Sequence, residues 1–208
     1  SLGSKQYRYH TQINFDNIYD IDIKDINSSL IVEEYNSFYG IQEKQGCKTL
    51  IAPKKIILDE EFGYLIGFIL GDGNYNFTDD KICSSIKIAQ KDKNILRKLG
   101  SIAFEKIGAI PTISYKNDKT NCYVLRLESP VLVTLMWDIF KIGHMAYNKC
   151  LPWNVYQTNK NFALGIIEGL IDSDGTITSN QSIQIRTVSR TMILQLSDLL
   201  RNFNFREA

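Results

Sequence analysis

Side chains that hold soft metals or form disulfides are scarce in this 208-residue chain, which has two histidines and four cysteines. His10 and His144 stand alone, and Cys47, Cys83, Cys122 and Cys150 are far apart with no CxxC pair. That distribution argues against a zinc site or a disulfide framework. It fits a reducing compartment, the cytoplasm or an organellar matrix, rather than secretion. Long hydrophobic runs are absent too. The apolar stretches at Tyr64 to Leu70 and Val131 to Met136 fall far short of the roughly 20 residues that cross a bilayer, so no membrane partner is expected. A charge excess is also missing: 24 basic and 23 acidic residues leave +1, so bulk charge alone does not call for a polyanion. What is present is an ordinary globular balance, 44% hydrophobic and 23% charged, enough for one domain of usual size or two small ones. By region the balance shifts from −2 over residues 1 to 60, to +4 over 61 to 160, to −1 over 161 to 208. The middle of the chain is modestly basic.

Residues 1 to 57 mix short β-like runs with polar and turn residues and show no sustained helical period, which predicts a β-rich or irregular lead-in. From Asp59 the pattern changes. Asp59, Glu60 and Glu61 place acids where a helix N-terminus favours them, before an apolar run that stops at Gly71-Asp72-Gly73. Lys81 to Ala89 alternates as a half-buried strand, with Ile82, Ile86 and Ile88 on one face. Asp92 caps a helix to about Ile107, Thr112 to Lys116 and Asn121 to Glu128 read as a strand pair, and Ser129-Pro130 opens a helix to about Ile142. The order is α-β-β-α-β-β-α over residues 58 to 152. It restarts over 153 to 208 with an apolar helix from Phe162 to Ile171, the stop Asp172-Ser173-Asp174-Gly175, a strand with Ile183 and Ile185 inward, and a helix capped by Ser189.

The two copies share a distinctive helix. GYLIGFILGDG from Gly63 to Gly73 and GIIEGLIDSDG from Gly165 to Gly175 carry small residues at every fourth position: Gly63, Gly67 and Gly71 in one, Gly165, Gly169 and Ser173 in the other. On a helix these form a ridge without side chains. Glycine inside a helix costs about 1 kcal/mol against alanine, and close approach of a second helix is the natural compensation. The helices should therefore pack on each other, bringing Asp72 and Asp174 side by side at one end. Two adjacent carboxylates repel unless a cation lies between them, and hard oxygen ligands suit Mg²⁺. A glycine ridge alone is more often core packing, and a lone aspartate before glycine is more often a turn; the duplication favours the metal role.

On these residues the chain resembles the LAGLIDADG homing endonucleases. The second segment matches the motif nearly letter for letter, and the first departs by Leu70 where the motif has its earlier aspartate, keeping Asp72 at the metal-binding position. The resemblance covers residues 59 to about 205. It implies an α+β fold, a pseudo-two-fold αββαββα repeat forming a saddle over double-stranded DNA, with the motif helices at the subdomain interface. It implies double-strand phosphodiester cleavage with Mg²⁺, two or three ions shared between Asp72 and Asp174, with Gly71 and Ser173 beside them in the metal set. Gln90 matches a position that orders active-site water, with Thr187 as its weaker counterpart. Lys149, in Asn148-Lys149-Cys150-Leu151-Pro152, resembles the basic residue that assists at the scissile phosphate. Strand alternation adds Lys81, Ser85, Lys87, Arg126, Ser182, Gln184 and Arg186 as candidate DNA contacts. Two unlike copies imply an asymmetric target and require no homodimer.

The resemblance is closest to intein-lodged members, given the Lys-x-Leu-Pro stretch and Thr187-Val188-Ser189, although no terminal His-Asn pair or splicing nucleophile is present. The second copy reaches Ala208, aligned near Pro111, without the further strand pair and helix of the first, so the expectation is that another polypeptide or a removed tail supplies them. The rival reading is a DNA-binding regulator or RNA maturase that kept the fold and lost cleavage; a remnant of a larger splicing protein is a third.

Overall fold

A computed structural model describes residues 20–42, 49–75, 85–117, 121–143, 145–180 and 182–203. The N-terminal part is small and layered. Strand β1 (Asp20–Asp22) pairs antiparallel with β5 (Lys55–Ile57), and β2 (Ile31–Glu34), β3 (Phe38–Gln42) and β4 (Thr49–Pro53) form a three-stranded antiparallel sheet. Helix α1 (Ile23–Asn27) starts where the Asp22 carboxylate accepts from the Lys24 amide at 2.8 Å. Ile21, Ile23, Tyr39, Ile41 and Ile56 are buried in the same continuous core as the rest of the chain.

The first repeat runs α2 (Glu60–Asp72), β6 (Gly73–Tyr75), β7 (Ser85–Gln90), α3 (Lys93–Ile107), β8 (Ile110–Asn117), β9 (Cys122–Glu128) and α4 (Pro130–Thr134). Each helix begins on a side-chain cap: Asp59 accepts from the Phe62 amide, Asp92 from Asn94 and Ser129 from Leu132. The sheet order is β6-β7-β9-β8, antiparallel throughout. Ile86, Ile88, Leu125 and Leu127 fill its buried face. Behind it α3 packs closely: a Cβ on Gly100 would lie 3.0 Å from Pro111. The helix opened by Ser129 ends earlier than its sequence pattern predicts. After Thr134 it widens into a π-turn over Leu135–Ile139, with the Phe140 amide reaching back to the Leu135 carbonyl at 2.8 Å. The Trp153 indole donates to the Ile139 carbonyl at 2.6 Å, so a distant side chain takes up a carbonyl at the end of that turn.

The second repeat runs α5 (Lys160–Asp174), β10 (Gly175–Ile177), β11 (Ile183–Ile185) and α6 (Arg190–Asn202). Among the described residues its sheet has two strands. Ile183, expected inward, is 53% exposed and Ile185 is half-buried, because among the described residues β11 pairs with β10 and has no equivalent of β9 beside it.

The repeats meet through α2 and α5, and the contact is reciprocal. A Cβ on Gly63 would strike the Phe162 carbonyl and one on Gly67 the Ile166 carbonyl; on the other helix, Gly165 lies against the Glu60 carbonyl and Gly169 against that of Tyr64. Residues 60 and 64 are the counterparts of 162 and 166, 102 positions apart, so the helix pair has a pseudo-two-fold axis. Ring contacts flank it: Phe62 stacks on Phe162 at 6.2 Å.

Candidate metal centre and nucleic-acid face

The axis that relates the helices brings their C-terminal ends together. A Cβ on Gly71 would overlap the Ser173 side chain and lie 3.3 Å from Asp174 Oδ2, so the Asp174 carboxylate sits against the end of α2, next to Asp72. Both acids are part-buried, and burial raises both above the usual carboxylate range. Asp72 is pushed up to about 6, by burial first and then by the Asp174 charge, with Lys149 pulling the other way. The Gln90 amide nitrogen lies 3.5 Å from Asp72 Oδ2, while its oxygen accepts from the Lys91 amide at 2.8 Å. A desolvated carboxylate pair at two helix ends, where main-chain carbonyls gather, fits a hard divalent cation whose remaining ligands are water or phosphate. Among the described residues there is no group of three or more His, Cys, Asp or Glu that could hold a metal alone, so the pair depends on such additional oxygens.

Lys149 reaches this centre differently from its expected place at a phosphate. Its buried ammonium donates to the carbonyls of Leu70 at 2.7 Å, Gly71 at 2.9 Å and Gly73 at 3.1 Å. All three protons are engaged, so in this state it caps α2 and has none left for a phosphate. Thr187, the weak counterpart of Gln90, accepts from the Ser189 amide at 3.1 Å and serves the approach to α6. One contact escaped the sequence reading. The Tyr64 hydroxyl donates to Asp172 Oδ2 at 2.9 Å, and Lys98 Nζ lies 3.8 Å from the Tyr64 ring centroid. The only hint in the sequence was that Asp172 stands where the first motif has Leu70.

Of the candidate DNA contacts, Lys87 and Arg126 are exposed and are direct cross-strand partners. They sit in one row across all four strands, Asn74, Lys87, Arg126 and Thr112, on the face opposite Ile86, Ile88 and Leu125. Arg126 pairs with Glu128 at 3.2 Å. Asn74 and Thr112 were missed; the alternation rule would have found them once the register was known. Gln184 and Arg186 are exposed at the second hairpin. Ser182, half-buried, closes the turn through its main chain, its amide donating to Thr178 Oγ1 at 3.2 Å and its carbonyl accepting from the Thr178 amide at 2.9 Å. Ser85 shares the polar parity but is buried, which corrects its assignment as a contact. Lys81 lies outside the described residues. Among the described residues no helix is long and apolar enough to cross a membrane.

Known proteins share these features in part. Residues 161–207 match the model of the LAGLIDADG-like domain. The chain is 27% identical over 188 residues to the DNA-directed RNA polymerase subunit Rpo1C of Methanocaldococcus jannaschii, and equally to the uncharacterized protein MJ1054 of that organism, covering 88% and 82% of this chain. It spans about a fifth of the length of either relative. Among solved structures, the homing endonuclease I-DmoI in complex with DNA and Ca aligns with a TM-score of 0.55 at 20% identity, over 73% of this chain and 75% of that one. Its complex with DNA and Mn aligns at 0.54 and 19%, over 73% and 81%. The chain therefore carries a LAGLIDADG-like segment and has the LAGLIDADG homing endonuclease fold.

Proposed function

We propose that this chain is a site-specific endonuclease that hydrolyses a phosphodiester bond in each strand of a long, asymmetric double-stranded DNA target with Mg²⁺. The observation that carries the reading is the convergence of Asp72 and Asp174 at the ends of a glycine-ridged helix pair. Mg²⁺ held there supplies a polarised phosphoryl oxygen and a water acidified for attack. Asp72 and Asp174 hold the ions, with Gly71 and Ser173 as the adjoining main-chain donors. Gln90 orients the Asp72 carboxylate. Lys87, Arg126, Gln184 and Arg186 offer phosphate and base-edge contacts from the two sheets. The Lys149 to Pro152 stretch, and a match confined to a fifth of much longer relatives, support an intein-type module; its placement in the cytoplasm or an organellar matrix rests on the scattered cysteines.

The decisive experiment is cleavage of a randomised or genomic DNA library with Mg²⁺, using wild type beside Asp72→Asn and Asp174→Asn. Cutting by wild type and loss of cutting in both variants, with DNA binding largely kept, is the expected result. Undiminished cutting by either variant removes the site assignment, and metal-independent binding without cutting by wild type replaces the nuclease with a regulator or maturase.

The reading also includes a cover for the exposed apolar face of the second repeat, supplied by another polypeptide or by a removed tail. The chain's own first repeat supplies the template. Tyr75, Ile86 and Leu96 are buried, whereas their counterparts Ile177, Ile183 and Ile193 are 74%, 53% and 41% exposed. In the first repeat β9 pairs with β7 and α3 packs on β8 and β9. An antiparallel hairpin with alternating apolar residues, laid against β11 and α6, would cover the equivalent face.

A further inference from the structure

The glycine ridges let α2 and α5 lie flush, but they give the helices little to hold a register. The row of contact on each helix is made of small residues against main chain, and Phe62 and Phe162 near the opposite ends stack at 6.2 Å without a directional bond. Among the described residues a single hydrogen bond joins the two helices: the Tyr64 hydroxyl donates to Asp172 Oδ2 at 2.9 Å. Tyr64 is buried, and burial together with the Asp172 carboxylate pushes its hydroxyl well above the usual tyrosine range, so it stays a donor. Lys98 Nζ, 3.8 Å from the Tyr64 ring centroid, brings α3 onto the same residue.

This pair breaks the pseudo-two-fold symmetry. The positions related to Tyr64 and Asp172 hold Ile166 and Leu70, 102 residues away in each case, and both are buried and apolar. One flank of the helix pair is therefore joined by a directional bond and the other by shape alone. The place of the bond matters more than its strength. Asp172 precedes Asp174 by two residues, and Tyr64 stands about two turns before Asp72. A slip of α5 by one residue would carry Asp174 about 1.5 Å along α2 and turn it by about 100°. Mg²⁺ accepts oxygens only at about 2.0–2.1 Å, so such a slip takes one carboxylate out of reach of a shared ion.

We infer that Tyr64 and Asp172 are positioning residues whose hydrogen bond sets the register of α5 on α2, so that Asp174 comes to rest beside Asp72. Both act through the helices that carry them and not as ligands. The inference rests on the reading of Asp72 and Asp174 as a metal centre. It gives Asp172 a role separate from that of its neighbour Asp174, although both belong to the same motif.

The test is Mn²⁺ binding to the full chain without DNA, followed by calorimetry, with urea titrations of the same variants. Tyr64→Phe removes one oxygen and leaves the packing of the ring, so it is the variant least able to disturb folding. It should weaken Mn²⁺ binding by about tenfold, because a hydrogen bond to a charged acceptor biases an equilibrium by about that much and affinity falls with the fraction of chains left in the binding register. Asp172→Ala should weaken it at least as much, and the double Tyr64→Phe, Asp172→Ala variant no further than Asp172→Ala alone, since one bond is lost only once. Asp172→Asn, which keeps an acceptor for the hydroxyl and removes the charge, should restore most of the affinity. Unchanged affinity in Tyr64→Phe, with or without a lower urea midpoint, overturns the positioning role while leaving the metal centre standing. So does Asp172→Asn binding as weakly as Asp172→Ala, which would make Asp172 act by its charge and not through Tyr64. Wild-type binding no tighter than that of the double Asp72→Asn, Asp174→Asn variant overturns both the inference and the metal centre.

Discussion

Asp72 shows how a single residue is disfavoured by the fold that uses it. Its carboxyl is raised to about 6 from the ordinary aspartate value of 3.8, first by burial and then by Asp174. Because the folded value lies above the unfolded one, the protonated form is the one favoured by folding. The associated stability is fully present below about pH 4, and is lost as pH rises through about 6. Asp72→Asn should therefore raise the melting temperature of the metal-free protein near neutral pH and flatten its pH dependence between about 4 and 6. Added Mg²⁺ should stabilise wild type, since a ligand bound only by the native state shifts folding toward it, and should stabilise the variant less. Thermal melts at about pH 5 and about pH 8, each with and without Mg²⁺, check both statements. A lower melting point for Asp72→Asn in metal-free buffer would contradict them. At this scale the repeated motif singled out Asp72 and the family resemblance singled out Gln90, and the fold brings their side chains to 3.5 Å. It did not reveal Ser85 as buried or Ser182 as a turn residue, since alternation gives a side chain's face but not its cover.

Among the elements, the α2–α5 pair carries the greatest constraint. At Gly67 and Gly169 an added Cβ would collide with main-chain carbonyls of the facing helix, Ile166 and Tyr64, and backbone cannot move aside as a flexible side chain can. Gly67→Ala and Gly169→Ala should each destabilise by about 1–3 kcal/mol, the usual range for overpacking, although alanine is the better helix former. The same shift should spread the helix ends, so metal affinity should fall together with the denaturation midpoint. Urea titrations give the first and Mn²⁺ titrations the second; alanine tolerated at both positions would mean the helices do not pack as described. The starts of α2, α3, α4 and α6 were legible, because Asp59, Asp92, Ser129 and Ser189 act within three residues of their own positions, whereas α1, capped by Asp22, was not expected and α5, capped by Asn159, begins two residues before its expected start. The π-turn at Leu135–Ile139 was not, because the Trp153 indole that meets its last carbonyl comes from 14 residues away.

Over the whole molecule, the two repeats differ in what covers them. Ile86 and Ile183 are counterparts, yet one is buried between β6 and β9 and the other stands exposed on a two-stranded sheet. Ile86→Ala should cost about 2–4 kcal/mol, whereas Ile183→Ala should change stability by about 0.5 kcal/mol or less in the chain alone. If a second polypeptide covers β11, Ile183→Ala should weaken that association instead, read by light scattering of the mixed species. A monodisperse single chain with full cleavage activity would remove the need for such a partner. The N-terminal strands belong to this scale as well. Their short β-like runs were visible, but their inclusion in one core with α2 and α3 depends on contacts far along the chain.

The sequence by itself determined the repeat, the four-residue spacing of the glycines, the helix caps and the acids that end each ridge. These are encoded within one or two turns of helix, where neighbours in the chain are neighbours in space. Only the tertiary structure decided that Lys149 would spend its charge on carbonyls 76 to 79 residues earlier, and that Ile183 would stand exposed where Ile86 is buried. Both outcomes depend on which distant segment lies alongside, and no local pattern carries that information.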